Sequence, residues 1–174
     1  MMRGLPCLCM VMLLAGAAQP VKGKDRAIAG TYDLLICKGS PCSFAERANV
    51  LRTAVIVLFD RALNRKDIAR IDSTYHDFKY DPVKACFLLV YPNRQTSGVM
   101  SWTLSGQTLS FSLVRSPDSW YSVRVERKGD VLSGVGNFWS AGVAPPPGFI
   151  PDTVVGRRRG PADLSACTMA GNLH

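Results

Sequence analysis

The sequence predicts an all-β protein, in which a single-domain antiparallel meander of about eight strands closes into a barrel. Apolar and polar residues alternate along several segments, as in Thr108 to Val114, and this period of two is typical of strands with one buried face. Short turn signals such as Ser105-Gly106 and Gly129-Asp130 separate the segments. A meander must protect its edge strands, and closure into a barrel does so. A two-sheet β-sandwich is the alternative, and the two differ in whether the first and last strands pair.

The first half of the chain holds the less regular strands. Ala29 to Cys37 places Tyr32, Leu34 and Ile36 on one face, and Thr53 to Phe59 is the most apolar segment. Ser43 and Glu46 have the spacing of a helix capping box, which predicts a short helical turn. Residues 64–84 are charged and polar, so we expect a long loop there, with a helical turn around Ile68 to Ile71.

The second half is regular. Leu109, Phe111 and Leu113 alternate with serines, and Tyr121, Val123 and Val125 alternate with polar residues. Gly134 and Gly136 lie inside a strand, which suggests a bend or bulge of the kind that curves a barrel. Ala144 to Gly148 is a stiff, proline-rich loop. The predicted strands here are Cys86 to Tyr91, Gly98 to Leu104, Thr108 to Val114, Trp120 to Glu126, Val131 to Trp139 and Asp152 to Arg159.

The N-terminus has the pattern of a secretory signal peptide over residues 1–18. Arg3 precedes an apolar run from Leu5 to Leu14, and small residues at 15–18 provide a cleavage site. The run is too short to span a bilayer, and no run of about 18 or more apolar residues, the length a membrane helix needs, occurs elsewhere. We therefore expect residues 19–174 to form one secreted or periplasmic domain that is not an integral membrane protein.

The chain is basic, with 21 Lys and Arg against 13 Asp and Glu, and loss of Arg3 with the signal would lower the net charge from +8 to +7. This charge fits a partner such as an anionic component of the cell envelope, but it also fits solubility alone. Aromatic and basic residues do not interleave as in a nucleic-acid platform, so we expect no nucleic-acid partner. We also expect the protein to be a monomer.

Four cysteines remain after the signal, and four allow three pairings. Cys37 and Cys42 enclose a short loop with Gly39 and Pro41, which can bring their Cα atoms within disulfide range. We therefore predict Cys37–Cys42 and Cys86–Cys167. A redox role for the first pair is disfavoured by its spacing.

The chain resembles the lipocalin and calycin barrels in the order of its strands and in one motif. Gly30-Thr31-Tyr32 looks like that family's glycine–any–tryptophan signature, with tyrosine in the last place. The resemblance implies a late basic residue packed across that aromatic, for which Arg157, Arg158 and Arg159 are candidates. It also implies a disulfide that ties the C-terminal tail to the barrel.

Several side chains are candidates for binding. Tyr32, Trp102, Trp120 and Trp139 are candidate ligand contacts, since aromatic residues often line barrel mouths, although packing in the core explains them too. Arg157 and Arg159 share one face of the last strand and are candidate anion contacts. A charged edge strand that resists aggregation is the other explanation.

No motif for catalysis, metal binding or a cofactor stands out. Tyr75, His76, Asp77 and Asp81 offer acid–base chemistry, but sequence neighbours in a loop are mostly solvated. His76 and His174 fit no zinc spacing. We expect a non-enzymatic protein without a cofactor or metal that binds a small hydrophobic molecule or an envelope component. The alternative is an interaction module, such as an inhibitor or structural factor, that acts through loop 64–84 or 144–150.

Overall fold

The computed structural model describes residues 28–72, 82–92, 94–116, 118–143 and 148–168. The predicted signal peptide, the Tyr75–Asp77 segment with Asp81, and His174 lie outside these ranges, as does most of the proline-rich loop. The described strands are β1 Gly30–Cys37, β2 Val50–Leu58, β3 Ala85–Tyr91, β4 Arg94–Met100, β5 Trp102–Ser105, β6 Thr108–Ser116, β7 Ser119–Lys128, β8 Val131–Ser140 and β9 Asp152–Gly160. Two short helices complete the described part, α1 Arg65–Ile71 and a 3₁₀ helix Leu164–Cys167.

The nine described strands form one antiparallel sheet in the order β4-β3-β2-β1-β9-β8-β7-β6-β5. The sheet is nearly closed into a barrel, and β1 pairs with β9 along most of its length. Pairing of the first and last strands distinguishes a barrel from a sandwich, so the predicted barrel is confirmed.

The extra strand comes from a division within one predicted strand. The segment predicted as Gly98 to Leu104 is split at Ser101 into β4, which pairs with β3, and β5, which pairs with β6. β4 and β5 are thus the two edge strands of the sheet, and because they follow each other in the chain they bring the two edges together. We call this junction between β4 and β5 the seam.

Alternation fills the barrel with apolar side chains. The inward-facing residues of β1, Tyr32, Leu34 and Ile36, are at most 1% exposed. Leu109, Phe111 and Leu113 of β6 face the same core, as do Tyr121, Val123 and Val125 of β7. The predicted inward faces of these three strands are thus confirmed.

A second apolar cluster lies on the outer face of the barrel. Helix α1 packs Ile68 and Ile71 against it, within the segment predicted as a loop with a helical turn. Cys167 of the 3₁₀ helix is disulfide-bonded to Cys86 of β3, with Cα atoms 5.9 Å apart. This cluster consists of Val57, Phe59, Leu63, Ile68, Ile71, Val83, Cys86, Val99 and Cys167.

The second disulfide joins Cys37 at the end of β1 to Cys42, with Cα atoms 5.7 Å apart. Both predicted pairings are therefore confirmed. Disulfides are typical of proteins in an oxidising, extracellular or periplasmic setting.

The helical turn predicted at Ser43 was wrong, and of the bend or bulge predicted at Gly134 and Gly136 the bulge is absent. Ser43 Oγ does accept a hydrogen bond from Glu46 N at 3.0 Å, but no helix follows it. The bulge is absent because the registers of β7–β8 and β8–β9 run without a shift. An added Cβ at Gly136 would instead lie 2.7 Å from Tyr121 Cζ, so glycine makes room for that ring.

Candidate functional site

An open cavity of about 920 Å³ lies at one end of the barrel, which we call the mouth. Strands β1, β3 and β8 end at the mouth, and β2, β4 and β9 begin there. A ligand of drug-like size fits a cavity of this volume. The cavity is lined by Lys38, Gly39, Leu51, Arg52, Tyr91, Arg94, Phe138, Gly148, Phe149, Ile150 and Asp152.

Strand alternation aims most of these side chains into the mouth. Residues two apart on a strand point to the same face. Arg52 precedes the inward-facing Ala54, and Tyr91 follows the inward-facing Leu89. The same step of two relates Asp152 to the buried Val154. The lining is therefore the last inward-facing layer of the barrel, above the packed core.

A β-bulge adds an apolar residue to this layer. Ile36 pairs with Arg52 and Cys37 pairs with Val50, so Leu51 is the extra residue of β2. Bulges at barrel rims commonly redirect a side chain. Leu51 consequently lines the cavity although Arg52, its neighbour on the strand, also points inward.

One side of the mouth is apolar and unusually exposed. Phe138 is 37% exposed, Phe149 41% and Ile150 79%. Exposed apolar side chains that cluster around a concavity mark a binding surface more often than isolated ones do. Phe149 and Ile150 belong to the loop between β8 and β9, which stands at the edge of the cavity.

The opposite side carries arginines packed on aromatic rings. The guanidinium of Arg52 lies 5.0 Å from the ring centroid of Tyr121 and 5.7 Å from that of Tyr91. The Arg94 guanidinium lies 4.8 Å from the Tyr91 centroid. Cation–π contacts of this kind hold a guanidinium in place while leaving its N–H donors available.

Tyr121 and Asp152 form the floor of this side. The Tyr121 hydroxyl donates a 2.8 Å hydrogen bond to Asp152 Oδ2. Burial raises the pKa of Tyr121 far above its ordinary value, and the bond to Asp152 raises that pKa further. The phenol is therefore neutral at physiological pH and acts as a fixed hydrogen-bond donor to the carboxylate.

The mouth has an excess of positive charge. Lys38, Arg52 and Arg94 supply three cations, and Asp152 supplies the one carboxylate of the lining. The ion pairs found among the described residues involve Arg61, Arg158 and Arg159, and none of the four charged groups at the mouth.

The four aromatic residues predicted as ligand contacts lie elsewhere. Tyr32 is fully buried in the core and donates a 2.8 Å hydrogen bond to the Ile28 carbonyl. Trp102 begins β5 and packs partly buried against the core. Trp120 and Trp139 face each other in the β7–β8 register on the outside of the barrel. None of them lines the mouth, and their role as ligand contacts stays a prediction.

The predicted anion contacts also have partners within the protein. Arg157 lies over the Phe44 ring at 5.1 Å, and Arg159 forms an ion pair with Asp33. Both are exposed on the outer face. Arg158 points the other way, lies opposite Tyr32 in the β1–β9 register and donates a 2.9 Å hydrogen bond to the Ala29 carbonyl.

Sequence reasoning missed the charged residues of the mouth. Arg52 lies directly before the strand predicted from Thr53, and Arg94 lies four residues before the strand predicted from Gly98, although each continues the inward-facing phase of its strand. A charged residue in that phase next to a predicted strand is the signal that would have found them.

Within the described ranges, no three His, Cys, Asp or Glu side chains are grouped to hold a metal ion. Neither of the two described helices has the length and apolar character needed to cross a membrane. Comparisons with models of protein families, with curated proteins and with solved structures gave no match.

Proposed function

We propose that this protein is a secreted or periplasmic, non-enzymatic binding protein that takes a small, largely hydrophobic molecule into the barrel mouth. The cavity of about 920 Å³ with aromatic and aliphatic lining carries the proposal. It exceeds the roughly 300 Å³ at which ligand pockets begin, and Leu51, Phe138, Phe149 and Ile150 give it an apolar wall beside its charged groups.

The packed interior supports a ligand that binds at the mouth and not one that is enclosed inside the barrel. Below the mouth, Ala54, Ile56, Phe87 and Leu89 are at most 2% exposed and fill the barrel. A ligand therefore rests on the top of this packed core and contacts Phe138 and Phe149 at its side. The resemblance to lipocalin and calycin barrels is compatible with this mode of binding, and family membership is part of the proposal.

The first test is native mass spectrometry of the protein purified from its own host. We expect a small molecule that is lost on unfolding, on a polypeptide that begins at residue 19 and contains two disulfides. A polypeptide that retains residues 1–18 would contradict the proposed secretion.

A fluorescence titration with the neutral probe N-phenyl-1-naphthylamine locates the site. The double variant Phe149→Ser/Ile150→Ser is expected to weaken binding about thirtyfold, because each of the two lost apolar contacts costs of order 1 kcal/mol and a tenfold change is about 1.4 kcal/mol. The matched control is Val135→Ser/Val143→Ser, which removes two exposed apolar side chains that do not line the cavity. Equal affinities of the two variants, or no binding by the wild type, would refute the proposed site.

An interaction module remains the second candidate, because Val143 is 65% and Ile150 79% exposed on the loop that borders the mouth. A protein partner that needs this loop would be the expected finding if the purified protein is empty and binds no apolar probe. Cross-linking from Ile150→Cys, followed by mass spectrometry, identifies such a partner.

A further inference from the structure

We infer that the ligand of the mouth is an anionic amphiphile, with an apolar body against Phe138 and Phe149 and a carboxylate or phosphate headgroup between Arg52 and Arg94. This inference rests on the proposed function and adds the chemical class of the ligand. It is carried by the distribution of charge across the cavity.

The two sides of the cavity differ in character. Phe138, Phe149 and Ile150 come from the end of β8 and the loop before β9, whereas the three cations, with Leu51 among them, come from the ends of β1, β2 and β4. A molecule that is apolar throughout would leave the cationic side without a partner. A molecule with one charged end satisfies both sides at once.

The arginines are prepared for an anion. The Arg52 guanidinium of β2 packs on the rings of Tyr91 and Tyr121, and the Arg94 guanidinium of β4 packs on the ring of Tyr91. Both guanidinium groups lie near the Tyr91 ring, Arg52 at 5.7 Å and Arg94 at 4.8 Å from its centroid, so they stand on the same side of the mouth. A planar guanidinium held by its face presents its N–H donors at its edge, which suits a carboxylate or phosphate.

The carboxylate of the mouth does not neutralise these cations. Asp152 accepts its hydrogen bond from Tyr121, and no ion pair within 4.0 Å joins it to Arg52, Arg94 or Lys38 among the described residues. One negative charge against three positive charges leaves an excess of two. The exposed ammonium of Lys38 adds long-range attraction for an anion entering from solvent.

Two arginines of β9 that lie away from the mouth show the contrast. Arg159 is neutralised by Asp33, and Arg158 lies 3.7 Å from Asp130. The cations at the mouth, with no carboxylate this close, are thus the better anion site.

The test uses four probes that share a ten-carbon chain and differ in headgroup: decanoate, decyl phosphate, decanol and decyltrimethylammonium. Each is titrated calorimetrically into the oxidised protein, below its micelle concentration. We expect the two anions to bind about tenfold or more tightly than decanol, since a charge-assisted hydrogen bond is worth roughly 1.5–3 kcal/mol, and a tenfold change is about 1.4 kcal/mol. The tighter of the two anions identifies the headgroup as carboxylate or phosphate.

Charge-removing variants then locate the headgroup. Arg52→Met and Arg94→Met are expected to weaken binding of the preferred anion about tenfold and to leave decanol unchanged. The matched control Arg124→Met removes the same charge from an exposed position on the outer face of β7 and is expected to change neither affinity.

The outcomes separate the inference from the proposed function. Equal binding of decanol and the anions, or tighter binding of decyltrimethylammonium, overturns the anionic headgroup and leaves the apolar site standing. Loss of anion affinity in Arg124→Met equal to that in Arg52→Met also overturns it. Failure of all four probes to bind overturns both proposals.

Discussion

At Gly134 the backbone of β7 comes so close to β8 that only hydrogen fits on the Cα atom. An added Cβ would lie 2.7 Å from Val125 Cα and 3.1 Å from the carbonyl carbon of Arg124. Both are backbone atoms in a central strand pair, so neither can rotate away. The position of this glycine follows from the close approach of the two strands, and the uninterrupted register around it agrees.

We therefore expect Gly134→Ala to lower the free energy of unfolding by about 1–3 kcal/mol, the usual cost of forcing extra volume into packed structure. Urea denaturation followed by tryptophan fluorescence measures the change. Gly160→Ala is the control, because its added Cβ meets nothing within 4 Å. A loss for Gly134→Ala no larger than for Gly160→Ala would show that the strands separate readily.

At the level of single residues, the sequence predicted the core better than the site. Tyr32, Leu34 and Ile36 occupy every second position of β1 and are all apolar, so their common inward face can be predicted from the pattern alone. Arg52 obeys the same alternation, but a strand recognised by its apolar residues stops before the charge begins. Strand ends at a barrel mouth are solvated, so charged residues are tolerated there in the inward-facing phase. Their meeting with Phe149 depends on closure of the barrel, which no local pattern encodes.

Among the elements, helix α1 depends on its N-cap and on its packing. Asn64 Oδ1 accepts hydrogen bonds from Lys66 N and Asp67 N, both at 2.9 Å, and Asp67 Oδ2 in turn accepts a hydrogen bond from Asn64 N. A seven-residue helix has little stability of its own. Ile68 and Ile71 supply the rest by packing on the outer face of the barrel.

Asn64→Ala is expected to destabilise the helix by about 1 kcal/mol, because two backbone N–H groups lose their acceptor. Amide hydrogen exchange measures this loss as faster exchange within residues 65–72 and unchanged exchange in β7. Lys66→Ala, which removes an exposed side chain from the same turn, is the comparison. Faster exchange throughout the barrel in Asn64→Ala would instead indicate that α1 and the barrel unfold as one unit.

The contrast with α1 explains why the capping box at Ser43 predicted a helix that does not form. Ser43 and Glu46 have the right spacing and one of the expected hydrogen bonds. However, no residue from 43 to 49 belongs to either buried apolar cluster of the described structure. A cap therefore selects where a helix starts only if an apolar face follows that can pack against the fold.

For the whole molecule, closure of the barrel and the two disulfides are separate constraints. The β1–β9 pairing joins the two ends of the meander through backbone hydrogen bonds. Cys86–Cys167 ties the tail to the outer face, and Cys37–Cys42 shapes a loop at the mouth. The succession of antiparallel strands and both disulfide pairings could be predicted from turn signals and cysteine spacing, whereas the β1–β9 pairing could not, because no short turn connects these two strands. The seam at Ser101 could not, because the division of one strand between two partners depends on how far the sheet curls.

The two disulfides should therefore differ in what their loss affects. Cys86–Cys167 spans 81 residues and Cys37–Cys42 spans 5. In the chain-entropy treatment the longer loop contributes about 4 kcal/mol and the shorter about 2 kcal/mol to stability. The Cys37–Cys42 bond lies directly beside the cavity residues Lys38 and Gly39, whereas Cys86 and Cys167 lie in the apolar cluster on the outer face. Cys86→Ala/Cys167→Ala should accordingly lose about twice as much unfolding free energy as Cys37→Ala/Cys42→Ala, yet keep its affinity for N-phenyl-1-naphthylamine.

Cys37→Ala/Cys42→Ala should show the reverse, with a smaller loss of stability and weaker probe binding, because Lys38 and Gly39 lose their fixed position beside Leu51. Far-UV circular dichroism of both variants at 25 °C should remain that of the folded barrel, since the β1–β9 pairing is made by backbone groups that neither substitution removes. Urea denaturation and probe titration on the same samples measure both effects. If the variant that lacks Cys86–Cys167 lost probe binding while still folded, the mouth and the tail would be coupled through the sheet, and the two ends of the barrel could not be treated as independent.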